Sequence, residues 1–254
     1  MLEKITTPSS AYRVLLALGG PILGALLLAG LFALLFTEPT VHLGGRTGAS
    51  VFLGGAGLAS LLLGLRWYGL RALGLRGKRP LYASIGFATL GWISFLLARL
   101  LVGSNSTVLV DAQFGRVFLY LFLFEALAVQ LWTFGLLFRT VADWRGPLTA
   151  AISSGILFGA IASQFFSEAY INTLNSLLYF TAWGIFYGLI RLRTGSILGT
   201  VIVQALQSLT AWHILLPEAN PMVRELHNLY LVSGTLYLIF VWRLWPTEEE
   251  DYRV

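Results

Sequence analysis

The chain has no cysteine, only three histidines, and few charges of either sign. Without cysteine it has no disulfide, no thiolate metal site and no cysteine nucleophile. Charged residues make up 11% of its 254 positions, against about 25% in a soluble domain. That is too few to cover a water-facing surface. The histidines are too scattered for a zinc centre, which needs three or four converging ligands. No His-x-x-x-His or His-Glu-x-x-His spacing occurs, and His213 reads as a hydrogen-bonded helix end near the membrane surface, with His227 well apart from it. No serine stands beside a His and an Asp, and no glycine loop of the phosphate-binding kind is present.

What the chain has in abundance is apolar length. Hydrophobic residues make up 57% of it, in repeated runs of about 20 residues, enough to cross a hydrocarbon core of about 30 Å. The expected fold class is an all-α polytopic membrane protein with about eight transmembrane helices. The spans are Tyr12–Phe36, Ala49–Leu65, Leu81–Val102, Val117–Leu137, Leu148–Phe166, Thr173–Ile190, Ser196–Leu215 and Leu226–Trp242. The run from Ala11 to Phe36 is too long for a signal-peptide core and is read as a retained span.

Basic residues orient these spans. Thirteen Lys and Arg fall on one side, from Lys4 and Arg13 through the loop Arg66–Pro80 to Arg243 and Arg253. Arg46, Arg99, Arg116 and Arg224 fall on the other. The positive-inside rule then puts both termini in the cytoplasm. The same rule explains the net charge of +5 without nucleic acid as a partner. The basic loop is read first as a topology anchor and second as a contact for anionic lipid. The acidic run Glu248–Asp251 is read as a solvated end. Gly20-x-x-x-Gly24, Gly155-x-x-x-Gly159 and Gly195-x-x-x-Gly199 predict close helix packing, read first as contacts inside the molecule and second as oligomer contacts. Trp132, Trp183 and Trp212 are read as packing or interface anchors.

Few polar residues enter the spans. Glu125 is the only acid well inside one. An ionised carboxylate there costs about 2.5–3.5 kcal/mol on insertion scales, so it is read as either a functional group or an interhelical hydrogen-bond partner. Gln130 lies on span four, and Gln204, Gln207 and Ser208 on span seven. Counting depth from the basic side predicts a direct Gln130–Gln204 hydrogen bond. It also predicts a Glu125 that faces span seven, near Gln207 and Ser208, rather than lipid.

The tract Phe134–Arg139 is followed by Gly146-Pro147, then Ala150, Ser154 and Phe158, and a Gly-Ser-Ile-Leu-Gly tract opens span seven at Gly195. With Leu73–Arg76 upstream, this order resembles the CPBP family of CAAX proteases and bacteriocin-processing enzymes (the Abi family) over Leu73 to Ala211. In that family a Glu pair, an Arg four residues later, a Phe-x-x-x-His and a final His-x-x-x-Asn form the active site. The resemblance places the Glu pair on Val129 and Gln130, the Arg on Phe134 and the first His on Ala162. It places the last His on Gln204 and the Asn on Ser208, and only Phe158 is kept. Every group that would transfer a proton or bind a metal is replaced.

Three regions are expected: 1–72 with two spans and the start of the basic loop, a CPBP-like core 73–215, and 216–254 with the last span. The resemblance implies a non-proteolytic binding, scaffold or assembly subunit of a membrane complex. The alternative is a CPBP-type intramembrane metallo- or glutamic endopeptidase with unorthodox residues, using Glu125. A transporter fits poorly, because the spans lack paired broken helices. No catalytic or metal-binding residue and no cofactor is expected. Other integral membrane proteins and bound lipid are the expected partners, with a pigment or quinone left open. The expected location is a bacterial cytoplasmic membrane or an internal photosynthetic-type membrane.

Overall fold

The structure is a computed structural model and describes residues 8–35, 45–102, 106–108, 114–166, 174–210, 215–217, 223–248 and 252–253. His213 and Trp212 lie outside these residues.

Long apolar runs with no nearby charge become helices, because hydrocarbon offers no partner for a free N–H or C=O. The helices are α1 (Pro8–Leu35), α2 (Gly45–Trp67), the short α3 (Gly69–Ala72) and α4 (Arg79–Val102). A continuous rod follows: α5 (Phe114–Tyr120), π1 (Leu121–Ala128), π2 (Leu131–Leu137) and α6 (Phe138–Arg145). Then come α7 (Pro147–Phe165), α8 (Leu174–Thr194), α9 (Leu198–Leu209) and α10 (Val223–Arg243). A two-stranded antiparallel ribbon pairs β1 (Ser106–Val108) with β2 (Leu215–Pro217), Thr107 opposite Leu216.

The chain is an all-α polytopic membrane protein. Among the described residues, five helical segments are long and apolar enough to cross a bilayer: Ala11–Leu35, Thr47–Trp67, Arg79–Val102, Phe114–Arg145 and Pro147–Phe165. The remaining three predicted spans correspond to α8, which ends in Arg191 and Arg193, to α10, which opens with Arg224 and Glu225, and to α9. Span four differs from the predicted Val117–Leu137. It runs unbroken for 32 residues from Phe114 to Arg145 and turns through i→i+5 hydrogen bonding in its middle.

The exterior is the inverse of a soluble protein's. Leu34 and Leu101 are 76% and 85% exposed, among many exposed leucines on α1, α2 and α4. The polar residues Gln130, Gln204, Gln207 and Arg191 lie inside. Span four is the centre of the bundle, with 78% of its apolar window buried against 22% for α1. α2 and α9 pack on it, α4 packs on α9, and α7 and α10 flank α8.

Two of the three glycine pairs sit where helices touch, within the molecule as predicted. A Cβ on Gly155 would stand 2.5 Å from the Ile185 nitrogen, and one on Gly24 would stand 2.5 Å from Ala59 Cβ. The third pair departs from expectation. Gly195 is not on a helix face with Gly199; it forms the turn between α8 and α9 at φ +72°, a conformation that glycine takes without strain.

Basic residues gather at one end of the bundle. The α8–α9 turn is tied to the basic loop, Ile197 N–H donating to Gly74 O at 2.9 Å and Ser196 Oγ to Arg76 O at 2.8 Å. The chain's last described residues return to the same place, with Arg253 N–H donating to Leu192 O at 2.9 Å. Arg193 Nε holds the end of α10 through Leu244 O at 2.9 Å.

Candidate functional site

Polar side chains of span four and α9 form one connected relay. Thr200 Oγ1 donates to Gln130 Oε1 at 2.5 Å, and Gln130 Nε2 donates to Gln204 Oε1 at 2.7 Å. Gln204 Nε2 in turn donates to the Glu125 carbonyl at 2.8 Å. The predicted Gln130–Gln204 bond is therefore present. Both glutamines are fully buried. The relay crosses at the junction of π1 and π2, where Val129 N–H donates to Ala126 O. Buried polar groups that all find partners stiffen a contact and fix its register.

Glu125 is 1% exposed, so it faces the protein rather than lipid, and its backbone meets Gln204. Gln207 was expected beside it but turns elsewhere. Its Nε2 donates to Tyr179 Oη at 3.4 Å, and its Oε1 accepts from Tyr237 Oη at 3.2 Å. Gln207 lies three positions after Gln204, and α9 presents one to span four and the other to α8 and α10. Ser208 is buried, and its hydroxyl has no hydrogen-bond partner among the described residues.

Aromatic rings fill the space beside the relay. Phe134 lies 5.6 Å from Phe158, and Phe158 lies 5.5 Å from Trp183 and 5.7 Å from Phe166 between ring centroids. Tyr179 continues the cluster at 5.9 Å from Trp183 and stacks on Tyr230 at 5.3 Å. Ala162 is fully buried under it, its carbonyl accepting from Phe166 N–H. Edge-on and tilted pairs at these separations add about 0.5–1.5 kcal/mol each beyond buried area. Val129, Phe134, Phe158 and Ala162 thus stand in packed protein.

The chemistry available here is narrow. An amide neither accepts nor releases a proton near neutral pH, and alanine, valine and phenylalanine supply no lone pair. No three of His, Cys, Asp or Glu come together closely enough to hold a metal ion among the described residues. The donors in the relay are neutral amides and a hydroxyl, a set that does not fit a catalytic divalent metal.

Several residues that shape this region escaped the sequence reading. Thr200 lies one turn before Gln204 and so on the same face of α9, a signal that was available. Tyr179 and Tyr187 lie four residues either side of Trp183, itself already read as a packing or interface anchor, and with it mark the buried face of α8. Arg191 was counted only as a topology charge, yet it is 1% exposed. Its Nε donates to Phe134 O at 3.2 Å and its Nη2 to Ala72 O at 2.7 Å. Trp132, read as a packing anchor, donates from Nε1 to Ala17 O at 3.0 Å and joins span four to α1.

No curated protein and no solved structure matches the chain. The match to a family model stops short of Leu73–Val110, so the Leu73–Arg76 motif falls outside it. Residues 111–210, which carry every position from Val129 to Ser208, match the family model described as type II CAAX prenyl endopeptidase Rce1-like, and over that segment, less than half of its length, the chain is similar to that family.

Proposed function

We propose that this chain is a non-proteolytic, Rce1-like integral membrane protein that binds or assembles another membrane protein in the cytoplasmic membrane. One observation carries the reading. Gln130 and Gln204, onto which the resemblance carries the family's acid and histidine, satisfy each other at 2.7 Å. Loss of a single general base lowers a rate by about 10²–10⁴, and by the resemblance the base, its partner histidines and the arginine are all replaced. The aromatic cluster around Phe134 and Phe158 then occupies the place beside them with apolar atoms.

The test has two arms. The purified chain in liposomes is offered a prenylated CAAX peptide. The expected result is cleavage no faster than in empty liposomes, and cleavage abolished by Gln130→Ala or Gln204→Ala overturns the proposal. Mild detergent extraction from the native membrane is the second arm. A membrane protein that co-purifies at fixed stoichiometry is expected, and a chain that emerges alone argues against the assembly role.

Glu125 favours one second reading, a peptidase that uses this acid in place of the family's own. It is buried, and its carbonyl is bonded to Gln204. Cleavage that survives Gln130→Ala and disappears in Glu125→Gln would select it.

A further inference from the structure

Arg191 is the most deeply buried cation in the basic end of the bundle, at 1% exposure. Its hydrogen bonds go to two neutral carbonyls, Phe134 O and Ala72 O, and its Cζ lies 5.2 Å from the centre of the Phe138 ring. Its Nη1 is enclosed and has no hydrogen-bond partner among the described residues. Gly74, at φ +85°, makes room for it: a Cβ there would stand 2.7 Å from Arg191 Nε.

Two more guanidinium groups lie close by. Arg139 follows Phe138 directly and pairs with Asp143 at 2.9 Å, its side chain 28% exposed. Its Nε is buried and also lacks a partner among the described residues. Arg76 reaches the α8–α9 turn, where its Nη1 would stand 3.1 Å from a Cβ on Gly195. The charges of Arg76 and Arg139 both lie close enough to act on Arg191. Among the described residues, Asp143 is the one acid bonded within this group of three cations.

A buried cation without a counter-charge is costly, and neighbouring cations raise that cost. An anion offsets both. The cluster sits where basic loops meet the membrane surface, and basic pockets between helices at that level bind phospholipid headgroups. We propose that Arg76, Arg139 and Arg191 form a binding site for a phosphate-class anion, with the phosphodiester of an anionic phospholipid as its ligand. Arg76 and Arg139 face the approaching headgroup, and Arg191 adds its charge from behind. This site is independent of whether the chain cleaves peptides.

The experiment uses the full chain, stripped of lipid in detergent. Phosphatidylglycerol, phosphatidylcholine and inorganic phosphate are added separately. Native mass spectrometry reads retained lipid, and thermal unfolding reads stabilisation. Phosphatidylglycerol is expected to be retained and to raise the midpoint, while phosphatidylcholine does neither. The double variant Arg76→Gln/Arg139→Gln, with its helical content unchanged, is expected to bind about thirtyfold more weakly. If inorganic phosphate stabilises as strongly as the lipid, and loses its effect in the same variant, the site stands and free phosphate is its ligand. Equal retention of the two lipids overturns the proposal. So does a double variant that keeps phosphatidylglycerol while Arg191→Met fails to fold, which would leave Arg191 a structural staple alone.

Discussion

Gln130 commits both ends of its amide to span seven: its nitrogen to Gln204 and its oxygen to Thr200. Interhelical hydrogen bonds in membranes average only about 0.6 kcal/mol, because an unfolded helix in lipid also finds partners. A relay differs, since removing one member strands the others in a packed interior, at about 1–3 kcal/mol per unsatisfied group. Gln130→Leu and Gln204→Leu are therefore each expected to destabilise by about 1–3 kcal/mol. The double variant should cost less than their sum, by about 0.5–1.5 kcal/mol of coupling. Unfolding in detergent measures all three, and strictly additive losses would show that the two amides do not act as a pair. The same geometry bears on introducing the residues that the resemblance implies at these positions. An imidazole at Ala162, which is fully buried, must displace the side chains packed around it. Overpacking of this kind costs about 1–3 kcal/mol. The triple variant Gln130→Glu/Ala162→His/Gln204→His is expected to lose stability and gain no cleavage of a prenylated peptide. Cleavage by that variant would mean that the cleft is still open.

The helices were legible from their apolar runs, but the turn of span four was not. Depth counted at about 1.5 Å per residue put Glu125 level with Ser208 and near Gln207. The i→i+5 turns of π1 and π2 rotate successive residues differently, so Glu125 meets α9 through its carbonyl at Gln204. Nothing local announces this, because Leu121–Leu137 holds no proline and its one glycine, Gly135, lies within π2. The register answers to the fit against α2 and α9, which a single sequence does not display. Helix contacts through glycine were more legible. Gly155 was read as a packing residue, and its partner proves to be the backbone of α8 at Gly184 and Ile185. Gly184→Leu is expected to abolish the folded monomer, since its new side chain meets backbone rather than a movable side chain. Gly86→Leu on α4 is the control, because nothing stands within 4 Å of a Cβ there. The yield of monodisperse protein on gel filtration separates them, and a tolerated Gly184→Leu would mean that α7 and α8 do not meet there.

The bundle has two chemically distinct ends, and this bears on how α9 crosses it. At 12 residues, α9 spans about 18 Å, well short of the hydrocarbon thickness of about 30 Å. It is tolerated because span four and α4 enclose it and lipid does not have to match its length. Its first turn is tied to the basic loop at Gly74, and a short stretch beyond its last turn β2 pairs with β1. It therefore joins opposite ends of the bundle despite its length. That arrangement places Lys78 and Thr247 at one end and Arg116 and Arg224 at the other, all four exposed. Because the chain contains no cysteine, single substitutions report their side without background. Lys78→Cys and Thr247→Cys are expected to react with a membrane-impermeant maleimide in inverted vesicles and to resist it in intact cells. Arg116→Cys and Arg224→Cys are expected to do the reverse. The sign follows from thirteen basic residues against four, since the positive-inside rule holds the richer side in the cytoplasm. If all four sites reverse together, the bundle stands but its orientation is inverted. If Lys78 and Thr247 label from opposite sides, the number of crossings between them is odd, and α9 is the first helix to doubt as a crossing.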